Sequence, residues 1–410
     1  MRIAIVGGGI GGLATAVCLE RQGFDDIVLL EQAPEFKEIG AGIQVSNNGA
    51  RLLRHLGLED ELRARGVVSR GNYYYDIEDG ELILETRAGE WGEKTYGAPF
   101  FHIHRHHLLD ILHRAVSRTR LRLGTAVTGV EQDDRVVRLT TTAGDVVEAD
   151  VVIGADGIRS TLRAELFDAG QPDASGYVCW RALIPRERLE GVDVPPSCTA
   201  WWGPDRSGVV FWVNGGTHMN FVGTVPSGEV RSEAWESRGD IEDLRRSYAG
   251  AIEPLATIVN AIDTPFITGI FTRPLLEQWT VGRIGLLGDA AHPIWPFLAN
   301  GATQALEDAY VLSRCLARGS VDTVAESLRE FQQRRWGRVA EVARVSREMA
   351  TTYHLSDPAA IARRNEQMRE RAKTDPYGLW LRGWLWGYDV VSAADAPIDR
   401  TAAAEAPTLV

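Results

Sequence analysis

The chain has 410 residues, 44% hydrophobic and 24% charged, which is long enough for two packed domains and ordinary for a folded soluble protein. Its net charge of −12 argues against nucleic acid as a partner, since phosphates are neutralised by a surplus of Lys and Arg. The apolar stretch before Gly7 is too short for a signal-peptide core, and no apolar run reaches the roughly 18 residues of a membrane span. Cys18, Cys179, Cys198 and Cys315 are scattered without a CxxC pair. The expectation is a cytoplasmic protein without stable membrane insertion or a disulfide framework.

In chain order, residues 2–6 predict a strand that stops at Gly7, and the helical spacing of Leu13, Ala14, Ala16, Val17 and Leu19 predicts a helix ending near Gly23. Residues 27–31 predict a second buried strand, completing one βαβ unit. A helix is expected over 48–58, ended by Gly57. The aromatic and β-branched runs at 73–75, 82–84, 200–202, 209–213 and 220–223 predict one antiparallel sheet in a second domain. Between and after them the first pattern returns: a helix over 108–116, a strand at 151–154, a strand at 284–288 and a helix over 302–316. The first domain is therefore expected to be discontinuous. The Arg-rich stretch 327–349 predicts a solvated helix with one buried stripe, and the Ala-, Pro- and Thr-rich residues beyond Asp395 a frayed tail.

Gly7, Gly9 and Gly12 form a G-x-G-x-x-G pattern between the first strand and helix. The first glycine permits the tight turn, the second lets a pyrophosphate approach the backbone, and the third lets helix and strand pack. Glu31 follows nineteen residues after Gly12, where a carboxylate can accept hydrogen bonds from a ribose. A second constellation is the Asp156–Gly157 turn with Ser160 placed to cap the next helix. A third is Asp289 directly after a strand, then Asn300, Gly301 and Ala302 opening a helix whose N-terminal amides can face an anionic ring. His102, His104, His106 and His107 lack carboxylate or Cys partners, so no metal is expected.

At these residues the chain resembles the class A flavoprotein aromatic hydroxylases, the group of the salicylate, 3-hydroxybenzoate and 6-hydroxynicotinate monooxygenases. Further similarity lies in residues 40–44 with Asn48, in His104 and Arg105, and in residues 384–388. The resemblance implies an α/β fold: a discontinuous Rossmann-like FAD-binding domain (1–70, 100–168, 275–320), an antiparallel β-sheet substrate domain (71–99, 169–274), a C-terminal helical region (321–390) and a flexible tail (391–410). It implies bound FAD held by Gly7, Gly9, Gly12, Glu31, Gln32, Arg105, Val127, Asp156, Asp289 and Ala302. NADH or NADPH is implied as a transient co-substrate, needing no second glycine fingerprint. The implied partners are a small aromatic substrate and O2, with a homodimer left open. The implied chemistry is attack of an electron-rich ring on the distal oxygen of a flavin hydroperoxide, with loss of CO2 if the attacked carbon bears a carboxylate. A flavin dehydrogenase or oxidase on the same fold, and a non-enzymatic flavin redox sensor, are the alternatives.

The substrate pocket departs from these relatives. Ser207 stands where a histidine is found in them, and Gln44 and Phe297 replace two more. The expectation is that Gln44 and Ser207 serve the reaction by hydrogen-bonding the ring hydroxyl or carboxylate, without any histidine base. Cys198, three residues before Trp201, keeps a spacing shared with the 6-hydroxynicotinate enzyme. Phe211, Trp212 and Phe297 are read either as core aromatics or as pocket walls beside Cys198.

Overall fold

The four buried residues of Ile3–Val6 form an inner strand of a six-stranded sheet. The computed structural model describes residues 1–36, 41–167, 172–227 and 237–398. The strand order is Thr280–Val281, Ile284–Leu286, Val151–Gly154, Ile3–Val6, Ile27–Leu30 and Arg120–Arg122. All neighbours are parallel except the first pair. The inner strands are apolar along their whole length because both faces of the sheet are buried. Val6 lies opposite both Gly154 and Leu30, and Gly154 opposite Leu286. Four strands therefore end at one level, and the chain leaves them together at Gly7, Glu31, Ala155 and Leu287.

A three-stranded meander, Val127–Gln132, Val137–Thr141 and Val146–Ala149, accompanies this sheet and was not expected. Its inward residues Val137, Leu139, Val147 and Ala149 alternate with Arg138, Thr140 and Glu148, a period-two pattern confined to strands of four to six residues.

The second layer is a seven-stranded sheet ordered Phe266–Thr272, Asp173–Pro185, His218–Pro226, Arg206–Val213, Cys198–Gly203, Gly71–Asp76 and Leu82–Arg87. All five runs expected to share a sheet do so. One pairing corrects the expectation of a wholly antiparallel sheet: Cys198–Gly203 runs parallel to Gly71–Asp76. More than a hundred residues, including a return to the first sheet, separate these two strands. No hairpin turn therefore dictates their relative direction.

The C-terminal part is helical, with Val324–Tyr353, Pro358–Thr374, Leu379–Trp386 and Val390–Ala393. The long helix has the one buried stripe expected of it, but that stripe also carries charge. Arg335 is fully buried against Glu307 and Asp308 of the helix Gly301–Arg318. The expected tail also begins too early: Val390–Ala393 is helical and Asp395 pairs with Arg314 and Arg318. Residues 399–410, and Gly40 of the 40–44 motif, lie outside the described residues.

Candidate active site

Ligands of open α/β sheets gather at the carboxyl ends of parallel strands. That edge here carries the glycine turn, Glu31, Asp156 and Asp289. A Cβ on Gly12 would lie 1.9 Å from the Gly7 carbonyl oxygen, so only glycine lets the helix Ile10–Arg21 sit against the turn. A Cβ on Gly9, the N-cap of that helix, would meet nothing within 4 Å. The Glu31 carboxylate accepts from the amides of Gly8 (2.6 Å) and Ala33 (2.7 Å), so it braces the glycine loop, and exposed Gln32 follows it. Thr125 donates its amide to the Glu31 carbonyl, which brings the start of the meander at Val127 to the same edge.

Asp156 caps the helix Thr161–Leu166 through Oδ2, which accepts from Thr161 N at 2.8 Å. Its Oδ1 is buried without a partner, and burial pushes the carboxyl up. Ser160 caps the same helix as expected, accepting from Arg163 N. Asp289 is water-accessible yet walled by dense protein, which raises its carboxyl while Arg105 and His292 pull it down. Arg105 opens the helix Arg105–Ala115, and Ala302 lies in the first turn of Gly301–Arg318. A Cβ on Gly288 would lie 3.1 Å from the Ala305 side chain, so that first turn is packed on the Asp289 loop. An open side at Gly9, an orphaned carboxyl oxygen at Asp156 and an accessible Asp289 beside Arg105 fit a dinucleotide with a polyhydroxyl chain.

Next to this edge lies a small cavity of about 80 Å³ that opens to solvent through a wider mouth. One wall is the seven-stranded sheet. Period-two alternation sends Asn72 and Tyr74, Cys198 and Ala200, Ser207 and Val209, and Val222 and Thr224 into it from four adjacent strands. The facing wall is the turn Pro296–Leu298 with Ala299, which leads directly into the helix Gly301–Arg318. Gln44 reaches in from the strand Gly42–Val45, which is tied to the sheet by Gly42 N donating to Asn220 Oδ1 at 2.7 Å. Gln44 Nε2 lies 3.2 Å from Cys198 Sγ, and burial pushes that thiol up to about 11, so it stays protonated.

Gln44, Ser207, Cys198 and Phe297 are thus brought together as expected. Phe211 shares the face of Ser207 and Val209 but lies beyond the cavity, packed on His102 at 4.7 Å. Trp212 points from the opposite face, where its indole donates to the Val194 carbonyl and Arg186 covers its ring. Neighbouring strand residues cannot share a face, so Phe211 and Trp212 could never both be walls.

Three cavity features escaped the sequence reading. Tyr74 and Tyr353 flank Trp202 at 4.6 and 4.5 Å. Arg382 enters from the helix Leu379–Trp386. Most consequentially, a histidine does stand behind Ser207. His354 Nε2 lies 3.2 Å from Ser207 Oγ and 2.7 Å from Thr224 Oγ1, and these two hydroxyls are 2.6 Å apart. Its Nδ1 lies 2.7 Å from the Ala350 carbonyl, which can only accept, so Nδ1 carries the proton and Nε2 is the free acceptor. No described histidine lines the cavity itself, but His354 stands directly behind two of its hydroxyls. The residue comes from the far end of a 30-residue helix, and no local pattern marks it.

Burial pushes His354 down to about 4 and His102, whose two ring nitrogens lack partners, down to about 3. Both are neutral in the fold, whereas the unfolded chain takes up protons below about pH 6.5. Their stability contribution is therefore full above that pH and erodes as pH falls toward 4 and then 3. At pH 5 each should cost about 2 kcal/mol relative to neutral pH. Urea melts at pH 7.5 and 5.0 check this: His102→Leu should remove about half of the difference, and a wild-type stability flat across that range would refute it.

The FAD-binding-domain family matches residues 1–346. The chain is similar to 3-amino-4-hydroxybenzoate 2-monooxygenase of Streptomyces cremeus, 38% identical over 392 residues that cover 94% of this chain and 95% of that one. It is also similar to 6-hydroxynicotinate 3-monooxygenase of Bordetella bronchiseptica, 33% identical over 393 residues covering 95% of each. In fold it matches a salicylate hydroxylase substrate complex with a TM-score of 0.81, over 100% of this chain and 99% of that one at 24% identity. Klebsiella pneumoniae HpxO, solved with FAD and uric acid, matches with a TM-score of 0.80 over 92% and 95% at 27% identity.

Proposed function

The chain belongs to the FAD-binding-domain family of flavoprotein monooxygenases, and from that premise we propose that its cavity holds a hydroxylated aromatic or N-heteroaromatic acid for oxygen transfer. The protein is an FAD-dependent aromatic monooxygenase. The observation that carries the substrate reading is the cavity itself, walled by alternate sheet residues and by the turn that runs into the helix Gly301–Arg318. The overall reaction consumes ring C–H, O2, NAD(P)H and a proton, and yields ring C–OH, NAD(P)+ and water. Bound FAD supplies the hydride acceptor and the activation of O2.

The chain's own residues do the rest. Gly7, Gly9, Gly12, Glu31, Gln32, Arg105, Val127, Asp156, Asp289 and Ala302 line the edge that receives the cofactor. The apolar faces of Ala200, Val209, Val222 and Phe297 clamp a flat ring and exclude water. Gln44 orients a polar substituent. A ring hydroxyl donating to Ser207 is oriented by the Ser207 and Thr224 hydroxyls, which His354 Nε2 holds in place as a neutral hydrogen-bond acceptor rather than as a base. Four buried free cysteines support a reducing compartment, the cytoplasm, and no helix among the described residues is long and apolar enough to cross a membrane.

The test is rapid mixing of the yellow protein with NADH or NADPH. The right ring acid should accelerate flavin bleaching by about tenfold or more, or ~1.4 kcal/mol of barrier, and the product should gain one oxygen atom from labelled O2. Equal reduction rates with and without a verified substrate would contradict the reading. Product mass also tells simple hydroxylation from loss of CO2.

A further inference from the structure

Arg382 is only 4% exposed and projects into the cavity from the helix Leu379–Trp386. Its Nη2 donates to the Tyr74 hydroxyl at 3.0 Å, while Nε and Nη1 have no hydrogen-bond partner. Other buried arginines have more of their donors met, although Arg163 Nε also lacks a partner. Arg335 meets Glu307 and Asp308, and Arg163 donates to the carbonyls of Ala290, Ala291 and Pro274. Arg364 donates to the Thr352 carbonyl and to Asn365 Oδ1. Among the described residues no carboxylate pairs with Arg382; its neighbours are the phenols of Tyr74 and Tyr353 and the protonated Cys198 thiol. A guanidinium keeps its charge in such a place, and a desolvated charge facing only neutral groups is costly unless an anion completes the site.

We propose that Arg382, with the Tyr74 hydroxyl beside it, binds the carboxylate of the ring substrate and makes this cavity select ring acids over the corresponding neutral rings. The proposal rests on the aromatic-monooxygenase reading and adds the substrate's charge and orientation. Tyr74 and Ser207 come from strands two positions apart, roughly 10 Å across the sheet. A carboxylate at Arg382 therefore directs the opposite end of the ring toward Ser207, Thr224 and His354. Charge-assisted hydrogen bonds from unpartnered guanidinium donors, inside a water-poor cavity, are strong enough to set this polarity.

The experiment titrates FAD-loaded protein with acids and their decarboxylated counterparts: 3-amino-4-hydroxybenzoate against 2-aminophenol, 6-hydroxynicotinate against 2-hydroxypyridine, and 3-hydroxybenzoate against phenol. Dissociation constants are read from the flavin absorbance without reductant. At least one acid should bind the wild type about 100-fold tighter than its neutral counterpart, an effect of the size expected when a buried charge gains its partner. Arg382→Met should bring that pair to within a few-fold, leave neutral-ring binding and FAD content unchanged, and melt no lower than wild type, because it removes an uncompensated buried charge. Arg382→Lys should restore part of the preference. If the methionine variant loses FAD, Arg382→Gln, which keeps donors without charge, should show the same loss. An acid preference that survives in the methionine or glutamine variant overturns the proposal. So does a wild type that binds and hydroxylates neutral rings as well as acids, although the monooxygenase reading then stands. Failure of every acid and neutral ring to perturb the flavin or stimulate NAD(P)H oxidation overturns both.

Discussion

A Gly9→Val protein is expected to fold and to be colourless. Gly9 has ordinary extended backbone, φ −70° and ψ −173°, so valine is conformationally tolerated, and a Cβ there contacts nothing within 4 Å. The fold therefore has no reason to fail. The same position is where the glycine turn meets the first amides of the helix Ile10–Arg21, the place a pyrophosphate must approach most closely. Three extra carbons should weaken FAD binding by about 100-fold or more, equivalent to ~3 kcal/mol, the upper range of an overpacking penalty. Gly12→Ala makes the contrast, because its Cβ would fall 1.9 Å from the Gly7 oxygen and should prevent folding outright. Far-ultraviolet dichroism, with FAD released by heat and measured by fluorescence, separates the two outcomes. Stoichiometric FAD in folded Gly9→Val would show that this turn is not the cofactor's cradle.

The glycine turn and Glu31 of the proposed cofactor edge were legible because they are local in sequence. A strand, a glycine turn and a helix lie within residues 3–21, and Glu31 lies at the end of the next strand. The sheet then only has to align strand ends, which the parallel register does. The cavity was legible in part. Ser207, Gln44, Cys198 and Phe297 were found through their departures from or likeness to relatives, but their neighbours come from segments hundreds of residues apart. Alternation in Tyr73, Tyr74 and Tyr75 does say that the middle ring faces the other way from its neighbours, yet not which face is the cavity. The same ambiguity hid the opposite orientations of Phe211 and Trp212. Arg382 left a readable trace as the single charge in the eight residues of Leu379–Trp386, where no polar face exists to solvate it. His354 left none, because its position depends on how far a 30-residue helix runs before it ends beside Ser207.

Replacing Arg335 by methionine should be among the most destabilising substitutions in the chain. Its guanidinium is fully buried and donates from Nε to Asp308 Oδ1 at 2.7 Å, from Nη1 to Glu307 Oε2 at 2.8 Å, and from Nη2 to Gln304 Oε1 at 2.7 Å. The two carboxylates have further duties. Asp308 Oδ2 accepts from Gly288 N at 3.0 Å and lies 2.6 Å from His292 Nε2, so it fixes the loop that carries Asp289. Glu307 Oε1 accepts from Asn48 Nδ2 at 2.7 Å, tying in the helix Asn47–His55. Burial alone would raise the Asp308 carboxyl, but His292 and Arg335 together hold it down at about 2. Removing Arg335 leaves two adjacent buried carboxylates without their shared cation, a loss of roughly 3–5 kcal/mol. The expected result is a clearly lower melting temperature together with weakened FAD retention, since the Asp289 loop loses its brace. Adding Asp308→Asn to Arg335→Met tests the cause: the double variant should be more stable than the sum of the two single losses, because the second change removes a charge that the first left without its guanidinium. Strict additivity would mean that the pair is not coupled, and that the Asp289 loop is held by packing rather than by this buried network.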